Sequence, residues 1–207
     1  MTNDPVRDEL DRLKARVELL ENAMVDEVPL SFEPKDYYLG YYATTGFLLG
    51  FLGACTSLLA NVVGSVFWSQ VTGKAQHPLH LIQVYLTFPL GEQSLETDTG
   101  LLLTIGCVLY MGTGMLYGMF FQVLLSRLFP NSTLPARLLI CSVLAIGVWI
   151  LNFYFVLSWV QPLLFGGNWI VTMVPPWVAA ATHLVFGWTM AIVYPLGEFH
   201  TYRSDKR

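Results

Sequence analysis

His183 is the only histidine, acid or strong base in the stretch WVAAATHLVFGWTMAIVYPL. An imidazole in so apolar a run can accept or donate a hydrogen bond, ligate a metal through one ring nitrogen, or relay a proton. Ionisable groups at membrane depth are functional candidates by default. His183 shares a helical face with Ala179, Gly187 and Ala191 at four-residue spacing. The plain expectation for it is a structural hydrogen bond to Asn152, to Thr182 or to a carbonyl of a neighbouring helix. The sharper one is cofactor binding, a haem or quinone site completed by a partner protein. A second axial histidine would have to come from that partner, because His77, His80 and His200 fall outside the apolar runs. No other cofactor is expected.

The remaining polar groups offer little chemistry. His77 and His80 form an H-x-x-H pair, but Pro78 interrupts it and Glu92, Glu96 and Asp98 are distant in sequence, so no metal site is expected. Cys55, Cys107 and Cys141 sit singly in three different apolar runs and read as small packing residues. The sequon Asn131-Ser132-Thr133 falls on the side assigned below to the cytoplasm and is discounted. G-x-S-x-G, phosphate-binding glycine loops and H-E-x-x-H are all absent. An enzyme would have to be assembled from scattered hydroxyls with no carboxylate at membrane depth to orient a base, so catalysis is not expected.

These residues must be positioned by helices in lipid. The 207 residues are 54% hydrophobic and only 13% charged, where an ordinary soluble domain carries about 25% charged residues. Four runs, about 42–67, 100–125, 138–160 and 177–196, contain no Asp, Glu, Lys or Arg, and each reaches the roughly 20 residues needed to span a bilayer. The fold class expected is all-α and polytopic, a four-helix transmembrane domain over 41–197. Lys35, Arg127, Arg137, Arg203, Lys206 and Arg207 flank one side and Lys74 alone the other, which places both termini in the cytoplasm, as of a bacterial inner membrane. Tyr37, Tyr38, Tyr41, Tyr42, Trp68, Trp159, Trp169 and Trp177 suit the two interfacial belts.

Outside the spans, Val6, Leu10, Leu13, Val17, Leu20 and Met24 repeat at 4-3-4-3-4 spacing, an a/d seam on a cytoplasmic helix over 1–25. Leu10, Leu13, Val17 and Leu20 are its candidate partner-binding residues, for self-association or for another subunit. This charged, helical start does not have the form of a secretory signal. A linker over 26–40 contains Pro29 and Pro34, and a tail covers 198–207. A short helix over about 77–90 carries Gln76, His80, Gln83 and Thr87 on one stripe and is too short to cross, so it is expected to be interfacial or re-entrant. Gly46/Gly50 and Gly114/Gly118 are G-x-x-x-G pairs that mark close helix packing.

With ten of fifteen acidic residues before position 37 and no basic patch, a nucleic-acid partner is not expected; the partners are the bilayer and other membrane subunits. The function expected is a non-catalytic integral membrane subunit or assembly factor of a larger, energy-transducing complex. The alternative is a small transporter or channel with Asn61, Gln122, Asn152 and His183 along a polar path.

Overall fold

A chain buried in lipid must satisfy its backbone internally, and a helix does so segment by segment. All regular elements among the described residues are helical. The structure, a computed structural model, describes residues 5–26, 35–73 and 77–199. The order is α1 (Pro5–Asp26), α2 (Lys35–Thr72), α3 (His80–Leu90), a 3-10 turn (Glu92–Glu96), α4 (Gly100–Leu128), α5 (Leu134–Ile150), a π-helical segment (Leu151–Leu157), α6 (Ser158–Phe165), α7 (Trp169–Met173), α8 (Pro176–Val193) and a 3-10 turn (Tyr194–Gly197). Four helical stretches are long and apolar enough to cross a membrane: Tyr38–Val71, Gly100–Leu128, Leu134–Phe165 and Pro176–Gly197.

Three boundaries differ from expectation. α2 already begins at Lys35, inside the stretch 26–40 expected as linker. The third span runs from Leu134 to Phe165 and not over 138–160, so Gln161, expected to open a loop, lies within it. It starts early because Pro135 occupies its first turn, where a missing N–H costs nothing. It ends late because its first available stop is Gly166, at φ 77°, whose N–H returns to the Pro162 carbonyl at 3.0 Å. Gln76 and residues 200–207 lie outside the described residues.

The chain divides into two units, Met1–Tyr37 and Tyr38–Arg207. In the first, α1 carries Leu10, Leu13, Val17 and Leu20 with half or more of each side chain exposed. In the second, α2 and α4 run antiparallel through their glycines. A Cβ on Gly50 would lie 2.5 Å from the Gly114 carbonyl oxygen, and one on Gly46 would lie 2.5 Å from the Gln122 Cβ. Gly118 sits directly against Gly50 and the Gly46 carbonyl, and Gly114 against Ala54. α5 and α8 form a similar pair, Gly187 meeting the Cys141 carbonyl and the Ala145 methyl. Phe121, Leu125, Cys141, Ala145, Met190, Ala191 and Tyr194 form a buried core among α4, α5, α8 and the turn that follows α8. At the start of the first span and the end of the last, Tyr38 and Tyr41 meet Phe199 edge to face at 5.0 and 5.3 Å.

Candidate intramembrane cavity

α3 is the element that shapes the site, and its polar stripe points inward. Gln83 and Thr87 are buried, as are Ile82, Val84 and Leu86. A helix lying at the interface would turn such a stripe to water. Here the stripe is consumed by the protein. Gln83 Nε2 donates to the Thr97 carbonyl at 2.9 Å, and the Gln83 backbone carbonyl lies 3.1 Å from Ser94 Oγ, which is also 2.9 Å from the Gly91 carbonyl; these contacts tie α3 to the turn that follows it. Thr87 Oγ1 donates to the Val84 carbonyl and accepts from Gln161 Nε2 at 2.9 Å. Gln161 Oε1 in turn accepts the Ile170 N–H at 3.0 Å. One fully buried amide therefore joins α3, α6 and α7, its donor and acceptor both matched within the fold.

Between α3, α7 and the four spans lies a cavity of about 510 Å³. Ala54 and Ser57 of α2, Tyr85 and Phe88 of α3, and Tyr110, Thr113, Tyr117 and Phe121 of α4 line one part of it. Trp149 of α5, Asn152 and Phe153 of the π-helical segment, and Thr182, His183 and Phe186 of α8 line the rest. None of the lining residues is Asp, Glu, Lys or Arg. The size falls in the range of small-molecule sites, and the composition, mostly apolar and aromatic with a few polar groups, is theirs as well. The π-helical turn is the local cause of the wall facing α4. It breaks the regular α-helical ladder at Leu151–Leu157, and such wide turns recur where a helix carries a site.

The polar groups of the wall divide by whether they are already used. Ser57 gives its one proton to the Thr182 carbonyl (2.9 Å), so the Tyr110 hydroxyl is the donor in the 3.0 Å contact between them. Thr113 gives its proton to the Leu109 carbonyl (3.0 Å), so Tyr85 donates to it at 2.7 Å. Both tyrosine protons are thereby committed. Tyr117 differs. It accepts from Asn152 Nδ2 at 2.5 Å, and its own O–H has no acceptor among the described residues. The Trp149 ring N–H is likewise buried without a partner. His183 Nδ1 lies 2.7 Å from the Ala179 carbonyl, which can only accept, so Nδ1 carries the proton and Nε2 of the neutral ring presents its lone pair.

The residues singled out in the sequence separate accordingly. Asn152 and His183 share the cavity; Asn61 and Gln122 do not line it. The expected convergence of all four is thus not found. Gln122 is five residues past Tyr117 on α4, turned to the other side, where Nε2 donates to the Tyr194 carbonyl at 3.3 Å. His183 bonds within its own helix and not to Asn152, Thr182 or a neighbouring helix. The small-residue face beside it is not an open groove, since α5 fills it at Gly187. His77 and His80 stand apart from the cavity. His77 Nδ1 accepts the Leu79 N–H at 3.1 Å, its Nε2 lies 3.8 Å from Asp98, and His80 Nδ1 lies 3.4 Å from Gln83 Oε1. No cluster of three or more histidine, cysteine or acidic side chains suited to a metal occurs among the described residues. Cys55 Sγ contacts Met111 Sδ at 3.6 Å, and the three cysteines are free thiols.

Sequence reasoning missed Tyr110, Thr113 and Tyr117, although their i, i+3, i+7 spacing marks a polar stripe on an apolar helix. It also missed Gln161, whose partners are 74 and 9 residues away and leave no local signal. Comparison with protein-family models, curated proteins and solved structures finds no match for the chain.

Proposed function

We propose that this protein is a non-catalytic integral membrane subunit or assembly factor of a larger membrane complex of the energy-transducing kind. In this reading it sits in a bacterial cytoplasmic membrane with both termini in the cytoplasm, and α1 docks on a partner or on a second copy. The observation that carries the reading is the seam of α1. Leu10, Leu13, Val17 and Leu20 keep a continuous apolar stripe exposed on a 22-residue helix, and helices in proteins take most of their stability from packing such a face. The glycine faces of α2 and α4, by contrast, are used against each other and are not free for a partner.

The test is purification of the tagged chain from native membranes in mild detergent, with mass-spectrometric identification of what accompanies it at fixed stoichiometry. Leu13→Asp with Leu20→Asp should release those subunits, or break a homo-oligomer, without affecting membrane insertion. Association unchanged on native gels would remove the docking role of α1. A second reading, a small transporter, draws on the shared cavity of Asn152 and His183. A monodisperse chain with no stoichiometric partner would favour it.

A further inference from the structure

Several polar groups of the cavity wall are left over once its internal bonds are assigned, the Trp149 ring N–H and Asn152 Oδ1 among them; two carry the argument, a hydroxyl donor on Tyr117 and an acceptor on His183 Nε2, in a chamber lined mainly by apolar atoms and aromatic rings. We propose that the cavity binds a neutral, lipid-soluble phenol of the hydroquinone type. In this assignment a phenolic O–H of the ligand donates to His183 Nε2 and a phenolic oxygen accepts from Tyr117.

Each property of the ligand follows from the wall. It is neutral, because no lining residue carries a charge to offset a carboxylate, phosphate or ammonium taken out of water. It is lipid-soluble, because the chamber lies within four helices able to cross a membrane. It carries a flat ring, because Tyr110, Phe121, Trp149, Phe153 and Phe186 surround the space with faces and edges that favour aromatic packing. It carries a hydroxyl proton, because His183 Nε2 is an acceptor; a quinone or an ether offers only acceptors and leaves that lone pair unmatched. A cavity of about 510 Å³ accommodates a substituted ring with the first part of an alkyl or isoprenoid chain. The proposal stands independently of any partner of α1.

The test uses the full-length protein in phosphatidylcholine nanodiscs under anaerobic conditions, titrated with 2-decylhydroquinone and followed by quenching of tryptophan fluorescence and by calorimetry. Saturable binding of one molecule per chain is expected. The bis-methyl ether, with the same ring and chain but no proton to give, should bind about tenfold more weakly, the size of effect expected when a buried acceptor loses its donor. The corresponding quinone should be weakened to a similar degree. His183→Leu should abolish this preference for the hydroquinone, and Tyr117→Phe should weaken hydroquinone and quinone alike. The ether comparison needs no variant, so it decides the matter even where His183→Leu does not fold. Equal uptake of hydroquinone and ether, no saturable binding, or selective binding of cholesterol in place of the phenol would each overturn the assignment.

Discussion

At the scale of single residues, the clearest dependence is on Gln161. Its fully buried amide accepts from the part-buried Ile170 backbone and donates to the buried Thr87. Replacing it by leucine strands the Ile170 N–H and leaves Thr87 with an unmatched lone pair. Gln161→Leu should destabilise the folded chain by about 1–3 kcal/mol, the usual cost of a buried group left without its partner. Heat-induced loss of the monodisperse species in detergent measures it, with exposed Thr172→Ala as a control expected to change little. Thr87→Val should be less than additive with Gln161→Leu, since the two remove one shared bond. A strictly additive pair would show that the bond contributes nothing. None of this was legible beforehand. Gln83 and Thr87 were recognisable as a stripe, but whether a stripe faces water or another buried amide depends on a residue 74 positions away.

At the scale of elements, the glycine pairs were legible because their chemistry is local. In lipid, helices gain no hydrophobic drive to associate, so close approach of small residues carries much of the packing. The structure supplies the geometry, α2 against α4 with no room for a methyl group at Gly50 or Gly118. Gly118→Ala should therefore cost about 1–3 kcal/mol through overpacking. Gly112→Ala on the same helix meets open space and should be neutral to stabilising, as expected for a glycine inside a helix. The same thermal assay separates them, and equal behaviour of the two variants would contradict the packing. The cavity was less legible, since α4 announces its glycines by composition while its tyrosine stripe acquires meaning only when Asn152 is brought opposite Tyr117.

For the whole molecule, four charge-free runs were sufficient to anticipate the all-helical architecture and its spans, because the hydrocarbon thickness sets their length. Cys55, Cys107 and Cys141 all fall inside those spans. A membrane-impermeant maleimide should leave them unmodified in intact membranes and label them after SDS denaturation; ready labelling in intact membranes would count against the arrangement. The proposed orientation makes a separate demand. A cysteine introduced by Asn131→Cys, at an exposed position between the second and third spans, should react in intact cells only after the membrane is permeabilised.

The wide turn at Leu151–Leu157 sets the phase of everything after it. A π turn closes on i to i+5 where an α turn closes on i to i+4, so the segment behaves as though one residue had been inserted into the third span. Each residue advances an α-helix by about 100°, so everything downstream is rotated by that amount relative to a straight continuation. Were the same residues to close as an ordinary α-helix, Gln161 would swing about 100° off Thr87, whereas deletion of one residue within the segment would restore an ordinary helix and leave Gln161 in register. The clamp on α3 thus depends on where the third span takes up its extra residue, a dependence that lies four residues and more before Gln161 itself.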